Sequence, residues 1–171
     1  MRDFDDSKAS LLGDYLPQKL GMEPGETVVK VILPGDYSGF VLFFFENGKA
    51  AKVPLSAYET KTNRKKLTGA YSDKSPVRTI LSMASDDQLA VYSTDNRCMI
   101  FSTALLLPKT TRATQGVSVL TLRKKAALDF AAPLAGSNIV NESRYRAKAI
   151  PAAGAILKPE EAPEQQISMN L

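Results

Sequence analysis

The stretch FVLFFFENGKAAKVPLSAY, Phe40 to Tyr58, holds an apolar run, a turn signal at Asn47-Gly48 and a second extended run carrying Lys49 and Lys52. Asn-Gly between two strand-like runs is the strongest short hairpin signal, because a two-residue turn needs positive φ at both positions. Aromatic and β-branched residues fill Phe40–Phe45, which suits a strand packed on a pleated surface. The return run places Lys49, Ala51 and Val53 on one face and Ala50, Lys52 and Pro54 on the other. The reading is a buried hairpin that presents lysines beside its turn.

The unit recurs. LFFFENGKAAKVPLSAY (42–58) falls on VYSTDNRCMIFSTALLL (91–107) at an offset of 49, and VVKVIL (28–33) falls on VRTILS (77–82) at the same offset. A period of this length marks architectures in which each repeat is one small sheet. The competing reading is two unrelated hairpins in an ordinary β-sandwich. Strands are expected at Thr27–Leu33, Phe40–Phe45, Lys49–Val53, Val77–Met83, Leu89–Thr94 and Cys98–Ser102, with a third repeat starting at Val117–Leu122. Ser7 is positioned to cap a short helix through Tyr15, which Pro17 limits. Residues 59–76 read as a long basic loop. The fold class is all-β: a partial, propeller-like array of two to three antiparallel blades, with a short N-terminal helix and a disordered C-terminal tail. The divisions are a lead-in at 1–26, the array at 27–136, and an extended segment and tail at 137–171. Arg144, Arg146 and Lys148 share one face of SRYRAKAI (143–150), which is expected to return to the first sheet.

The chain of 171 residues is long enough for one domain with a core, and its net charge of +4 is modest. The distribution is uneven: Lys49 to Lys125 holds 14 Lys/Arg against 5 Asp/Glu, whereas residues 1–48 hold 4 against 8. A concentrated basic region attracts polyanions, nucleic acid first. The single cysteine, Cys98, rules out an internal disulfide and sits in an apolar run, as a buried small hydrophobe does. Histidine is absent, which removes the commonest general base and metal ligand. No apolar run reaches the ~18 residues of a membrane span, and MRDFDD is unlike a signal peptide, so a cytoplasmic protein without membrane contact is expected.

Catalytic motifs are missing: there is no G-x-x-x-x-G-K loop, nucleophile elbow, C-x-x-C pair or H-E-x-x-H. Binding remains. Lys49 and Lys52 follow the first turn and Arg97 the second, with basic loops at Lys61, Arg64, Lys65 and Lys66 and at Lys109 and Arg112. Fanned repeats would bring such corners to one rim, where they track a bent duplex through phosphates. The alternative is a basic β-module that docks an acidic protein partner.

ENGKAAKVPLSAY (46–58) resembles the blade motif of the C-terminal β-pinwheel in bacterial type IIA topoisomerase A subunits, those of DNA gyrase and topoisomerase IV. TRATQGVSVLTL (111–122) resembles the Arg-x-x-x-Gly-Val strand entry of another blade, and GDYLPQKLGMEPGE (13–26) the linker into the pinwheel. The resemblance implies non-sequence-specific binding and bending of double-stranded DNA, in a holoenzyme with a B subunit that uses ATP and Mg2+ and with the N-terminal part of an A subunit. It implies no cofactor and no catalysis in this chain, since nothing matches the family's tyrosine region, and a bacterial, nucleoid-associated location. Lys49, Lys52, Arg97 and Arg112 carry over by position; Lys61, Arg64, Lys65, Lys66 and Lys109 enter on charge alone. KTNRKKLTG (61–69) is basic but is not the family's glycine-rich basic box, so a topoisomerase IV-like or divergent relative is expected, as a fragment or a truncated reading frame.

Overall fold

The computed structural model describes residues 8, 12–60 and 67–163. The chain divides into two compact units, residues 1–33 with 60–68, and residues 34–59 with 69–171.

Among its described residues the first unit contains one short helix, α1 (Leu16–Leu20), which starts where the expected helix was to end; the expected cap, Ser7, lies outside the described residues. Pro17 lies in its first turn, where a missing N–H costs nothing, and Gly21 closes it at φ 61°. Thr27–Leu33 is not a strand. It runs without ladder hydrogen bonds, and Val28, Val29, Val31 and Leu33 are exposed. β-branched composition favours a strand only where another strand supplies the ladder.

The second unit holds two four-stranded antiparallel sheets. Strands β1 (Phe40–Phe45), β2 (Lys49–Pro54), β3 (Val77–Met83) and β6 (Val117–Ser118) form the first, in the order β3-β1-β2-β6. Strands β4 (Gln88–Ser93), β5 (Arg97–Ser102), β7 (Leu128–Pro133) and β8 (Ala155–Ile156) form the second, in the order β7-β4-β5-β8. Each blade is a hairpin flanked by a later strand on either side.

The repeat is real, and its offset within the hairpins is 48 rather than 49. Each corner is a three-residue loop. Gly48 N–H donates to the Phe45 carbonyl and Asn96 N–H to the Ser93 carbonyl, at 3.0 and 3.1 Å. The left-handed residue is the third of each loop, Gly48 at φ 78° and Asn96 at φ 58°. A tight turn closed by one left-handed residue replaces the two-residue turn expected at Asn47-Gly48. Both sheets also carry a bulge at the same place. Arg78 is the extra residue between the pairs Phe44↔Thr79 and Phe45↔Val77, and Asp129 between Tyr92↔Phe130 and Ser93↔Leu128.

Leu42, Phe44 and Ala50 of the first sheet share one core with Leu89, Val91, Met99 and Phe101 of the second. The far side of the second sheet, Ala90, Tyr92, Cys98 and Ile100, is covered by Ile139, Tyr145 and Leu157. Residues 137–163 are therefore a structural layer, with α2 (Glu142–Tyr145), β8 and a 3₁₀ turn at Pro159–Glu161, and the tail expected to be disordered lies beyond them, outside the described residues. The layer joins the second sheet, not the first as expected for 143–150: Arg146 bridges Ile100, although Ala152 reaches Leu120. Val117 does not open a third blade; it closes the first by pairing with Ala50.

Candidate nucleic-acid interface

The two hairpin corners converge. Thr94 N–H donates to the Ala127 carbonyl and Leu128 N–H to the Glu46 carbonyl, both at 2.9 Å, so one dipeptide touches both corners. Just before it, Arg123, Lys124 and Lys125 form an exposed turn closed by Ala126 N–H on the Arg123 carbonyl at 3.0 Å. These three cations have no ion-pair partner among the described residues, and Lys125 holds a left-handed φ of 67°. No local motif in the sequence marks them as a site. The only signal was the charge count, which ended at Lys125.

The other cations divide. Lys49 opens β2 beside the first corner, and its Nζ donates to Gln115 Oε1 at 3.0 Å. The segment 109–118 then runs along β2: Lys109 N–H donates to the Lys52 carbonyl at 2.8 Å and Val117 pairs with Ala50. Lys109 is exposed. Arg112 Nη1 donates to the Ala57 carbonyl at 3.2 Å, and its guanidinium lies 5.9 Å from the Tyr58 ring centroid. Lys49, Lys109 and Arg112 thus follow one flank of the first sheet, a strip rather than a row of corners.

Lys52 and Arg97 are turned to internal work. Lys52 is 4% exposed. Its Nζ is 2.5 Å from Asp86 Oδ1 and 4.4 Å from the Phe40 ring centroid. The hydrogen bond from Lys52, and then that from Thr103, holds the Asp86 carboxyl below its ordinary range. A lysine on an alternating return strand was expected at the surface, but both faces of β2 are buried. Arg97 pairs with Asp95 at 3.5 Å and donates to the Gly154 carbonyl at 2.9 Å, leaving its side chain 12% exposed. Lys61, Arg64, Lys65 and Lys66 lie outside the described residues.

Cys98 is fully buried, and burial pushes its thiol up to about 12. Among the described residues no group of three or more Cys, Asp or Glu could hold a metal ion. Among the same residues no helix is long and apolar enough to cross a membrane.

No protein-family model matches the sequence, and no curated protein matches it. Solved structures do. A crystal structure of the C-terminal domain of DNA topoisomerase IV matches at 20% identity and a TM-score of 0.68, over 80% of this chain and 43% of that one. The C-terminal domain of DNA gyrase A matches at 16% identity and a TM-score of 0.54, over 74% of this chain and 47% of that one. The fold is that of their C-terminal β-pinwheels. The chain spans less than half the length of either domain, and two pinwheel blades are present among its described residues. At these identities the likeness is one of fold.

Proposed function

We propose that this pinwheel unit binds and bends duplex DNA through backbone phosphates, without reading sequence, as part of the C-terminal region of a type II topoisomerase A subunit. The convergence of both corners on Ala127–Leu128 carries the reading, because the Arg123–Lys124–Lys125 turn just before that dipeptide holds three exposed cations, without an ion-pair partner among the described residues, next to where repeated corners meet. The flank strip of Lys49, Lys109 and Arg112 extends the same positive surface along the first sheet. Phosphate contacts need charge at intervals and no base-specific geometry. Bending is sustained when added contacts repay the deformation. Lys61, Arg64, Lys65 and Lys66 add to the same field by charge. Lys52 and Arg97 support the blade from within.

The chain contributes binding rather than chemistry. ATP hydrolysis and Mg2+ use belong to the B subunit, DNA breakage belongs to the N-terminal part of an A subunit, and the setting is the bacterial cytoplasm at the nucleoid. Fluorescence anisotropy with duplexes of unrelated sequence tests the reading. Affinity should fall steeply with salt and vary little with sequence. Replacing Arg123, Lys124 and Lys125 together with Ala, Ala and Gly should lower the slope of log affinity against log salt by roughly two to three. Absent or salt-independent binding would refute it, and retention of an acidic protein in place of DNA would favour a protein-docking module.

A further inference from the structure

We propose that the hollow between the end of β2 and the Thr110–Ala113 loop is a seat for a single tetrahedral oxyanion, a phosphodiester group when the ligand is DNA. The proposal deepens the reading above and rests on it only for the source of that phosphate.

The hollow is open and about 560 Å³ in volume, and Ser56, Ala57, Gly69, Thr110, Thr111 and Arg112 are among the residues that line it. That exceeds what a bare ion needs and lies within the range of small-ligand sites. Among the described residues, Arg112 is the only ionised side chain that lines it, and no carboxylate does. Ser56, Thr110 and Thr111 add three hydroxyls, which donate to an oxyanion but leave no negative charge to repel it.

Arg112 is held in place rather than merely present. Its one hydrogen bond among the described residues uses Nη1, on the Ala57 carbonyl, and a guanidinium has five N–H donors. The face of Tyr58 beside it is itself anchored, since Tyr58 Oη donates to the Ala70 carbonyl at 2.7 Å. Burial pushes the Tyr58 hydroxyl up to about 12, so the ring stays neutral at physiological pH. A guanidinium fixed at one end and free at the other suits bidentate grip on a phosphate.

The backbone supplies a second set of donors. The amides of Thr111, Arg112 and Ala113 meet no acceptor among the described residues, whereas Thr114 N–H donates to the Thr111 carbonyl at 3.3 Å and Gly116 N–H to Thr114 Oγ1 at 3.1 Å. Successive backbone amides in a turn are one way that proteins bind an anion. The second blade has no counterpart. Gly154 takes the place of Gly116, but Ile150 stands four residues before it where Arg112 stands before Gly116.

Two readouts on the full chain test the seat. Inorganic phosphate titrated into ¹⁵N-labelled protein should shift the amide resonances of residues 110–113, and Arg112→Ala should abolish those shifts. In duplex-DNA titrations, Arg112→Ala should lower the salt slope by roughly one. Thr110→Val with Thr111→Val should weaken DNA binding severalfold at an unchanged slope, and Arg112→Lys should recover the slope without the full affinity. DNA binding with an unaltered Arg112→Ala slope and no phosphate shifts would overturn the seat and leave the DNA reading intact. Phosphate shifts without any DNA binding would keep the seat and remove duplex DNA as its ligand.

Discussion

At the residue scale, the Lys52–Asp86 pair shows how a cation can be present in sequence and absent from the surface. Asp86 serves Lys52 and also accepts from Thr103 Oγ1 at 2.6 Å, while Asp87 N–H donates to that same Oγ1 at 3.0 Å. Removing the acid leaves a buried ammonium without its counter-charge, on the Thr103 carbonyl at 3.4 Å; removing the lysine leaves only a half-exposed carboxylate. Asp86→Ala should therefore cost about 1–3 kcal/mol and Lys52→Met less, as chemical denaturation would read. Lys52→Met should also leave DNA affinity and its salt slope unchanged. The pH dependence follows from the depressed Asp86 carboxyl. Its contribution is complete above the unfolded aspartate value of about 4 and disappears as pH falls through the lower folded value. Asp86→Asn should flatten the stability curve below about pH 4 relative to the parent. An unchanged acid limb would mean the pair adds nothing to stability.

At the element scale, the glycine before each short closing strand sets how closely that strand can lie. Gly116 has φ 70°, and a Cβ there would sit 1.8 Å from the Ala50 carbonyl oxygen. Gly154 has φ 66°, and its Cβ would sit 2.6 Å from the Cys98 oxygen, 48 residues beyond Ala50. Gly116→Ala should cost about 3 kcal/mol, combining left-handed strain with backbone overlap. Gly69→Ala is the control: φ is 65° but no atom of the described residues lies within 4 Å of a Cβ there, so only the strain of about 1–2 kcal/mol remains. Equal losses in thermal melts would show that the close approach is not what Gly116 provides. The hairpins were legible because FVLFFF and the turn residues carry local signals. The loop length was not, because Asn47 and Asn96 invite alignment although the left-handed residues are Gly48 and Asn96. β7 was missed because LDFAAP has weak strand propensity and is extended by pairing with β4. Thr27–Leu33 failed in the opposite direction, having the propensity and no ladder.

At the scale of the whole molecule, charge concentration was readable in composition, but which cations reach solvent depended on burial that both faces of β2 and β5 impose. The Ala- and Pro-rich segment after Gly136 was read as an extended segment and tail because no single stretch of it is apolar enough to nucleate structure. It is organised instead by one buried acid. Glu161 is 2% exposed; its Oε1 accepts Asn141 N–H at 2.7 Å and Val140 N–H at 3.0 Å, and its Oε2 accepts the Tyr145 hydroxyl at 2.5 Å. These donors, the tyrosine hydroxyl first, hold its carboxyl below the ordinary glutamate range. The layer so fastened buries Ile139, Tyr145 and Leu157 on the second sheet, worth roughly 5 kcal/mol as an upper bound. A chain ending at Asn138 should lose most of that and expose Cys98, which is fully covered in the intact protein. Maleimide labelling of Cys98 at neutral pH should then proceed at the rate of a free thiol, whereas in the intact chain it should wait on unfolding. Slow labelling of the shortened chain would mean that the second sheet closes over its own face without the layer.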